Sequence, residues 1–167
     1  MENPSPWPSG FGSFTSTIMN ARLLPALVTL ALAASALTAR AAGAAWLTDA
    51  ALAQAKARAE RKLVMLEFTG SDWCPPCKKM AAEVFPTPEF RAFAAEHLVP
   101  VKLDFPQRPK LPAAQQQAND ALAMKHKVNA FPTLVFLRAD GTEAGRLVGY
   151  TDTQSLLQAA GKFVAQK

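Results

Sequence analysis

Two cysteines three positions apart constrain the fold of this chain more than any other feature. Cys74 and Cys77 are the only cysteines among its 167 residues, and Pro75 and Pro76 lie between them. A short apolar run precedes the pair, and apolar residues at the spacing of one helix face follow it, so a strand leads through a loop into a helix. Because proline is tolerated only in the first helical turn, Cys74 is expected at about the N-cap and Cys77 in the first turn. Side chains at that spacing have Cβ atoms roughly 5–6 Å apart, and a small adjustment brings them within the roughly 3.5–4.5 Å of a disulfide.

The start of a helix also sets the chemistry of such a pair. Its free N–H groups and its dipole favour a thiolate on Cys74, and Lys78 and Lys79 add positive potential. Cys74 is therefore expected to be the exposed nucleophile, whereas Cys77, on the apolar helix face, is the shielded thiol that resolves a mixed disulfide. Asp72 is compatible with a loop cap or with a charge that tunes Cys74. A stapled loop and half of a zinc site are the alternatives for the pair.

The sequence Trp73–Cys77, which follows a predicted strand, resembles the active site of the thioredoxin superfamily. The wider phrase 68–79 resembles a group of exported bacterial thioredoxin-like proteins. The resemblance implies an α/β protein with the thioredoxin fold, and an exported thiol–disulfide oxidoreductase that acts on protein thiols and disulfides without a cofactor. It also implies a redox partner, either a soluble protein or a membrane electron carrier. The Pro-Pro dipeptide, where the better-known reductases have glycine first, leaves the direction of electron flow open.

The same resemblance assigns roles to residues outside the cysteine pair. Pro132, in a Phe-Pro-Thr sequence, resembles the cis-proline that faces the disulfide in this superfamily, and Phe131 is expected to shape the substrate surface beside it. Trp73 is expected to pack beside the pair on the same surface. Glu67 stands where the family places a buried acid beneath the second cysteine, and a buried carboxylate has a raised pKa and can take the proton of the resolving thiol. The alternatives are an ordinary trans proline and a glutamate at the strand end whose carboxylate reaches water.

The remaining sequence predicts alternating helices and strands. The predicted helices are about 49–61, 74–85, 89–97 and 115–127, with a last helix that begins at the capping box 151–154 and ends at about 165. The predicted strands are 62–69, 98–104, 133–138 and 143–150. A right-handed β-α-β crossover followed by a hairpin gives a four-stranded mixed sheet flanked by helices on both faces, over residues 46–167. Pro100 favours a position near the sheet edge for the second strand.

Helical spacing also predicts which side chains face the core, and residue type predicts a cap. Thr48 or Asp49 is expected to cap the first helix. The inward-facing residues predicted for that helix are Leu52, Ala55 and Ala59. Those predicted for helix 115–127 are Ala118, Leu122 and either Ala121 or Met124. Tyr150 is expected to lie in the core.

The first 41 residues differ in composition from the rest. A basic segment that begins at Met19 is followed by the apolar run 23–37 and by small residues that fit an Ala-x-Ala cleavage pattern, so residues 19–41 are expected to form a secretory signal peptide. Residues 1–18 are rich in Pro, Ser and Gly, and are expected to be a mis-annotated extension before a true start at Met19 or a disordered extension. An uncleaved membrane anchor is the alternative for the apolar run, which is short for a membrane span. A signal peptide implies export, in a bacterium to the periplasm, where a disulfide persists.

The charge of the chain and the spacing of its histidines bear on whether it binds nucleic acid or a metal. The chain has 18 Lys+Arg and 13 Asp+Glu, a net charge of +5, and the charges are scattered, so no nucleic-acid binding is predicted. His97 and His126 lie near predicted helix ends at spacings that fit no compact zinc motif, so neither a metal site nor a cofactor is predicted. The rival function is a non-catalytic thioredoxin-like module that binds a peptide or copper(I) and uses its cysteines structurally. Turnover of a disulfide substrate separates the two functions.

Overall fold

The computed structural model describes residues 44–166 of the chain. The predicted signal peptide, residues 19–41, and the extension 1–18 lie outside the described residues. The described helices are α1 (Ala50–Glu60), α2 (Pro75–Glu83), α3 (Pro88–His97), α4 (Ala113–Lys125) and α5 (Thr153–Val164). The described strands are β1 (Leu63–Thr69), β2 (Leu98–Asp104), β3 (Thr133–Leu137) and β4 (Glu143–Val148). Within this part of the chain, no helix is both long and apolar enough to cross a membrane.

The described strands form one mixed sheet in the order β2-β1-β3-β4. β1 pairs in parallel with β2 and antiparallel with β3, and β3 pairs antiparallel with β4. Parallel pairing requires a crossover, and α2 and α3 supply it between β1 and β2. The predicted thioredoxin fold is confirmed. Pro100 lies in β2 at the edge of the order, where a missing N–H is tolerated.

β1 is buried along its whole length because helices cover both faces of the sheet. Successive side chains of a strand point to opposite faces. Leu63 and Met65 point to the face that is covered by α2, α3 and α5. Val64, Leu66 and Phe68 point to the face that is covered by α1 and α4. Each such side chain contributes roughly 1.5–3 kcal/mol of transfer free energy when fully buried, so this strand anchors both cores.

Polar side chains cap the helix starts that the sequence indicates. Asp49 accepts hydrogen bonds from the backbone N–H groups of Ala51, at 2.8 Å, and Leu52, at 3.0 Å. Asp152 is the N-cap of α5 and accepts a hydrogen bond from the N–H of Ser155 at 3.0 Å, so the helix begins one residue later than the predicted capping box, in which Thr151 is the N-cap. Such a cap contributes about 1 kcal/mol, because it satisfies a donor that the helix itself leaves unpaired.

The predicted apolar stripe of α1 is wrong. The structure buries Ala53 and Ala57, while Leu52 is 56% exposed and Ala55 and Ala59 face solvent. The spacing is helical, but the face is rotated by about one residue. An alanine-rich helix carries little contrast between its faces, and the two small buried alanines let the helix axis approach the sheet closely.

The predicted inward face of α4 is also largely wrong, since Leu122 alone of the predicted residues packs against the core. The exposed ones are Ala118, Ala121 and Met124. The buried residue is Asn119, whose side-chain N–H donates to the carbonyl oxygen of Asp104 at 2.8 Å. A polar anchor to the end of β2 therefore fixes this helix, and apolar periodicity does not detect it.

Candidate active site

The cysteine pair begins α2 and forms a disulfide. Cys74 is the N-cap residue, its Cα lies 5.3 Å from that of Cys77, and its Sγ accepts a hydrogen bond from the Cys77 N–H at 3.3 Å. Pro75 and Pro76 have no N–H, and the N–H of Lys78 donates to the Cys74 carbonyl at 3.1 Å. The Cys77 N–H is therefore the one N–H in this first turn that is directed at the Cys74 sulfur. The predicted placement of the pair is confirmed.

Both cysteines are buried in this disulfide form. Cys74 is 3% exposed and Cys77 is 1% exposed, so the expected exposure of Cys74 is wrong for the oxidised state. The bond joins the Cys74 sulfur to a residue on the inner face of α2, next to the buried Met80, and draws the sulfur inward. Trp73, immediately before the pair, is 40% exposed, and Pro75 and Pro76 between the cysteines are exposed as well.

An aromatic cluster lies next to the disulfide. The Trp73 ring contacts Phe131 edge-on, with ring centroids 5.8 Å apart, and Phe131 stacks on Phe105 at 5.1 Å. The Trp73 Nε1–H donates to the Phe105 carbonyl at 2.8 Å. The peptide bond between Phe131 and Pro132 is cis, as the sequence resemblance implies. Gly70 leaves room for the indole, because a Cβ at this position would lie 2.5 Å from a Trp73 ring carbon.

Two acidic side chains fasten the loop before the disulfide to the segment after β2. The Asp104 carboxylate accepts from the Ser71 N–H at 2.9 Å and from the Ser71 hydroxyl at 2.6 Å. The Asp72 carboxylate accepts from the N–H of Gln107 at 3.0 Å and from that of Arg108 at 2.8 Å. Partial desolvation opposes the charge of Asp72, but these backbone donors outweigh it and hold its pKa below the usual value. Of the two roles open to Asp72 from the sequence, the geometry supports the loop cap.

Glu67 is a buried carboxylic acid on the face of β1 that α2 covers. It is 3% exposed and is the cross-strand neighbour of Lys102. Burial raises the pKa of Glu67 to about 7, since Lys102 and a hydrogen bond from Thr69 only partly offset the desolvation and Asp104 adds to it. Glu67, Cys77 and Lys102 line one cleft of about 770 Å³. The predicted burial of this acid is therefore observed, whereas its role in proton transfer stays a prediction.

Tyr150 is a second residue near the site whose exposure the sequence predicts wrongly. It is 37% exposed, and its hydroxyl donates to Glu83 of α2 at 3.0 Å. The Lys79 ammonium lies 4.5 Å from the centre of its ring. Gly149, at φ +85°, donates its N–H to the Pro132 carbonyl at 2.8 Å, which places Tyr150 beside the cis-proline turn. The sequence feature that indicates the exposure of Tyr150 is the glycine before it, because β4 ends at Val148 and Tyr150 therefore lies outside the strand.

The two histidines lie at helix ends, as predicted, and away from the cysteine pair in sequence. His97 ends α3, and His126 caps the C-terminus of α4. Burial lowers the pKa of His126, Lys125 and Arg146 add to this effect, and Glu143 opposes it. Among residues 44–166, no group of three or more His, Cys, Asp and Glu side chains is arranged to hold a metal ion.

A mixed sheet whose central strand leads into a helix that starts with a Cys-x-x-Cys disulfide, together with a cis-proline before the antiparallel strand, defines the class of thioredoxin-fold dithiol–disulfide proteins. The family model described as a thioredoxin-like domain matches residues 48–164. The chain belongs to this family.

Known proteins of the same kind are similar over much of the chain. A disulfide bond reductase, DsbH of Chlamydia pneumoniae, is 43% identical over 88 residues, which are 53% of each chain. The present chain thus spans about half the length of that relative. A thioredoxin of Chlamydia trachomatis serovar D is 34% identical over 102 residues, 60% of this chain and 81% of its own. A solved structure of a DsbH oxidoreductase is 28% identical with a TM-score of 0.67, over 92% of this chain and 96% of its own.

Proposed function

We propose that this chain is an exported thiol–disulfide oxidoreductase that acts on protein disulfides. The observation that carries the proposal is the Cys74–Cys77 disulfide at the start of α2, with the Cys77 N–H directed at the Cys74 sulfur. The relative with the printed name of a disulfide bond reductase supports catalysis over a non-catalytic module for a peptide or copper(I).

The reaction is an exchange of two electrons between a dithiol and a disulfide. In the reduced protein, the Cys74 thiolate attacks one sulfur of the substrate disulfide, forms a mixed disulfide and releases the other sulfur as a thiolate. Cys77 then loses its proton and attacks the Cys74 sulfur, which releases the second substrate thiolate. The substrate is reduced to two thiols, and the protein is left with the Cys74–Cys77 disulfide that the structure contains.

Glu67 is the residue proposed to take the proton of Cys77. Its pKa of about 7 lets it accept and return a proton near neutral pH, and it lines the same cleft as Cys77. Because Cys77 is buried among apolar groups, loss of its proton is unfavourable without a nearby acceptor, and only the thiolate attacks. Glu67 thus deprotonates the resolving thiol without exposing it to bulk water.

The substrate surface is proposed to be the exposed aromatic cluster beside the pair. Trp73 and the half-buried Phe131 offer apolar contacts to an extended segment on either side of a substrate cysteine, and the cis bond before the buried Pro132 is proposed to let the backbone run alongside that segment. Trp73 is held in place by its hydrogen bond to the Phe105 carbonyl, so little ordering is needed when a substrate binds.

The direction proposed is reduction of substrate disulfides. A thiolate that receives few hydrogen bonds is poorly stabilised, and a less stable reduced form gives a lower reduction potential. The two prolines leave Cys74 with one N–H donor in the first turn, which favours a reductant. The oxidised protein then needs electrons from a partner dithiol, either a soluble protein or a membrane electron carrier.

Export is proposed from the sequence of residues 19–41, and the bacterial periplasm is the proposed destination. N-terminal sequencing of the protein recovered from cells tests this proposal. A first residue near position 42 supports cleavage, whereas an intact N-terminus at or before Met19 in the membrane fraction supports an uncleaved anchor. A peptide from residues 1–18 in the precursor would contradict a true start at Met19.

Two cysteine variants test the activity. Cys74→Ser should abolish reduction of a disulfide-bonded protein, and Cys77→Ser should trap that protein as a mixed disulfide through Cys74. A structural pair would give neither result, and both variants would lower the stability alike. The reduction potential then tests the direction, since a reductant should lie near the about −270 mV of thioredoxin and not near the about −120 mV of a strong oxidant.

A further inference from the structure

Three exposed cations lie in the two segments that meet at the active-site loop. Lys78 follows the pair in the first turn of α2, and Arg108 and Lys110 project from the loop between β2 and α4. Asp72 holds that loop against the active-site loop through the N–H groups of Gln107 and Arg108. None of the three cations forms a salt bridge within the described residues 44–166.

The nearby carboxylates are occupied by other groups. The carboxylate of Asp72 accepts hydrogen bonds from backbone N–H groups, and that of Asp104 accepts them from Ser71. Neither carboxylate is therefore hydrogen-bonded to a cationic side chain, and Arg108 and Lys110 are exposed to solvent in the loop that Asp72 holds.

The part of the site around Tyr150 carries charges of both signs, since the Lys79 ammonium lies on the Tyr150 ring and 4.0 Å from Glu83. Tyr150 is bonded to Glu83, and both Glu83 and Asp152 act on its hydroxyl electrostatically. Desolvation, that hydrogen bond and those two charges raise the pKa of Tyr150. The acids near Tyr150 therefore have partners, whereas Lys78, Arg108 and Lys110 form no ion pair within the part of the chain that the structure describes.

We infer that this surface selects disulfide substrates whose cysteine is flanked by aspartate or glutamate side chains, which contact Arg108 and Lys110 while the neighbouring chain packs on Trp73. The inference rests on the proposed function and specifies its substrate class. Exposed charges of opposite sign add little to equilibrium affinity, but they raise the rate of productive encounter and penalise substrates of the wrong sign. The selection therefore acts on the second-order rate constant and weakens with salt.

Three synthetic peptides of one length, each with an internal disulfide, test the inference. They carry Asp, Asn or Lys at the same positions beside one cysteine. The pre-reduced protein is mixed with each peptide in a stopped-flow instrument, and the change in tryptophan fluorescence gives the second-order rate constant. The Asp peptide should react about three- to tenfold faster than the Asn peptide, and the Lys peptide more slowly than both. The ratios should approach one as the Debye length falls from about 10 Å at 0.1 M salt to about 3 Å at 1 M.

Charge-reversal variants test whether Arg108 and Lys110 cause the preference for the Asp peptide. Lys110→Glu should lower the Asp-to-Asn rate ratio about two- to threefold, and Arg108→Glu with Lys110→Glu should bring it to one or below. Lys162→Glu is the matched control, since Lys162 is an exposed cation near the end of α5, and it should leave the ratio unchanged.

Each remaining outcome is decisive. If the wild-type protein reduces the Asn peptide but reacts equally with the Asp peptide, the charge selection is wrong and the proposed function stands. If the preference exists but survives in the double variant, these cations do not cause it and the inference is overturned. If the protein reduces none of the peptides, the proposed function fails and the inference fails with it.

Discussion

Replacing Glu67 by glutamine should remove the loss of stability that the oxidised wild-type protein undergoes as pH rises from acid to above neutral. The carboxyl group is 3% exposed, and burial raises its pKa from 4.5 to about 7. Below about pH 4.5 the group is protonated in the folded and the unfolded chain, so it has no effect on pH dependence. Between the two pKa values the unfolded chain ionises while the folded protein keeps the proton, and stability falls as pH rises.

The size of this effect follows from the two pKa values. They differ by about 2.5, and each pH unit corresponds to about 1.4 kcal/mol, so the wild-type protein should lose about 3 kcal/mol between acid and alkaline solution at this one group. Above about pH 7 the loss is constant, because the carboxylate is then ionised in both states. Glutamine does not titrate. Its new amide contacts shift stability by the same amount at every pH.

The measurement is urea unfolding of the two oxidised proteins at a series of pH values between about 4 and 8.5. The free energy of unfolding of Glu67→Gln minus that of the wild type should rise across this range by about 3 kcal/mol. Glu89→Gln on the exposed first turn of α3 is the control, and its difference should stay small at every pH. A difference for Glu67→Gln that does not change with pH would refute the raised pKa, and with it the proposed proton transfer.

Three further substitutions test packing by urea unfolding near neutral pH. Asn119→Ala should cost about 1–3 kcal/mol, because it removes a buried side chain that donates to the half-buried Asp104 carbonyl at 2.8 Å. Gly145→Ala should cost about 1–3 kcal/mol, because the new Cβ would lie 2.2 Å from the Phe163 ring and force it to move. Leu52→Ala should change stability by less than about 0.5 kcal/mol, since Leu52 is 56% exposed; a larger loss would restore the stripe predicted from sequence.

The sequence predicts the scaffold of the site well because its signals there are local and strong. Two consecutive prolines after Cys74 can start a helix but cannot continue one, so the N-cap position is fixed by covalent structure. In the apolar run of β1 the residues do not alternate with polar ones, which indicates burial on both faces, as observed. Glu67 interrupts that run, and an acid in such a strand has no route to bulk water except through a cleft.

The wrong predictions concern residues whose orientation depends on tertiary contacts and whose local hydrophobic pattern is weak. The face of α1 is ambiguous in an alanine-rich sequence, and its orientation is fixed by bonds such as that from Gln54 to the carbonyl of Arg138, 84 residues away in sequence. Tyrosine is a large aromatic residue of a type that is often buried, yet Tyr150 is exposed because it follows a glycine at which the chain turns outward. Hydrogen bonds such as those of Asp72 join loops that are distant in sequence, and the periodic spacing of apolar residues does not predict such bonds.

Leu47, just before α1, also bears on how this domain resists association. It makes an isolated parallel bridge to β2: its N–H donates to the Pro100 carbonyl at 2.9 Å, and its carbonyl accepts from the Lys102 N–H at 2.8 Å. One residue thus occupies a donor and an acceptor on the outer side of an edge strand, where a second chain could otherwise add a strand. Recombinant versions of the domain that begin after Leu47 would expose these groups, and we expect them to self-associate more readily than versions that begin at Ala44.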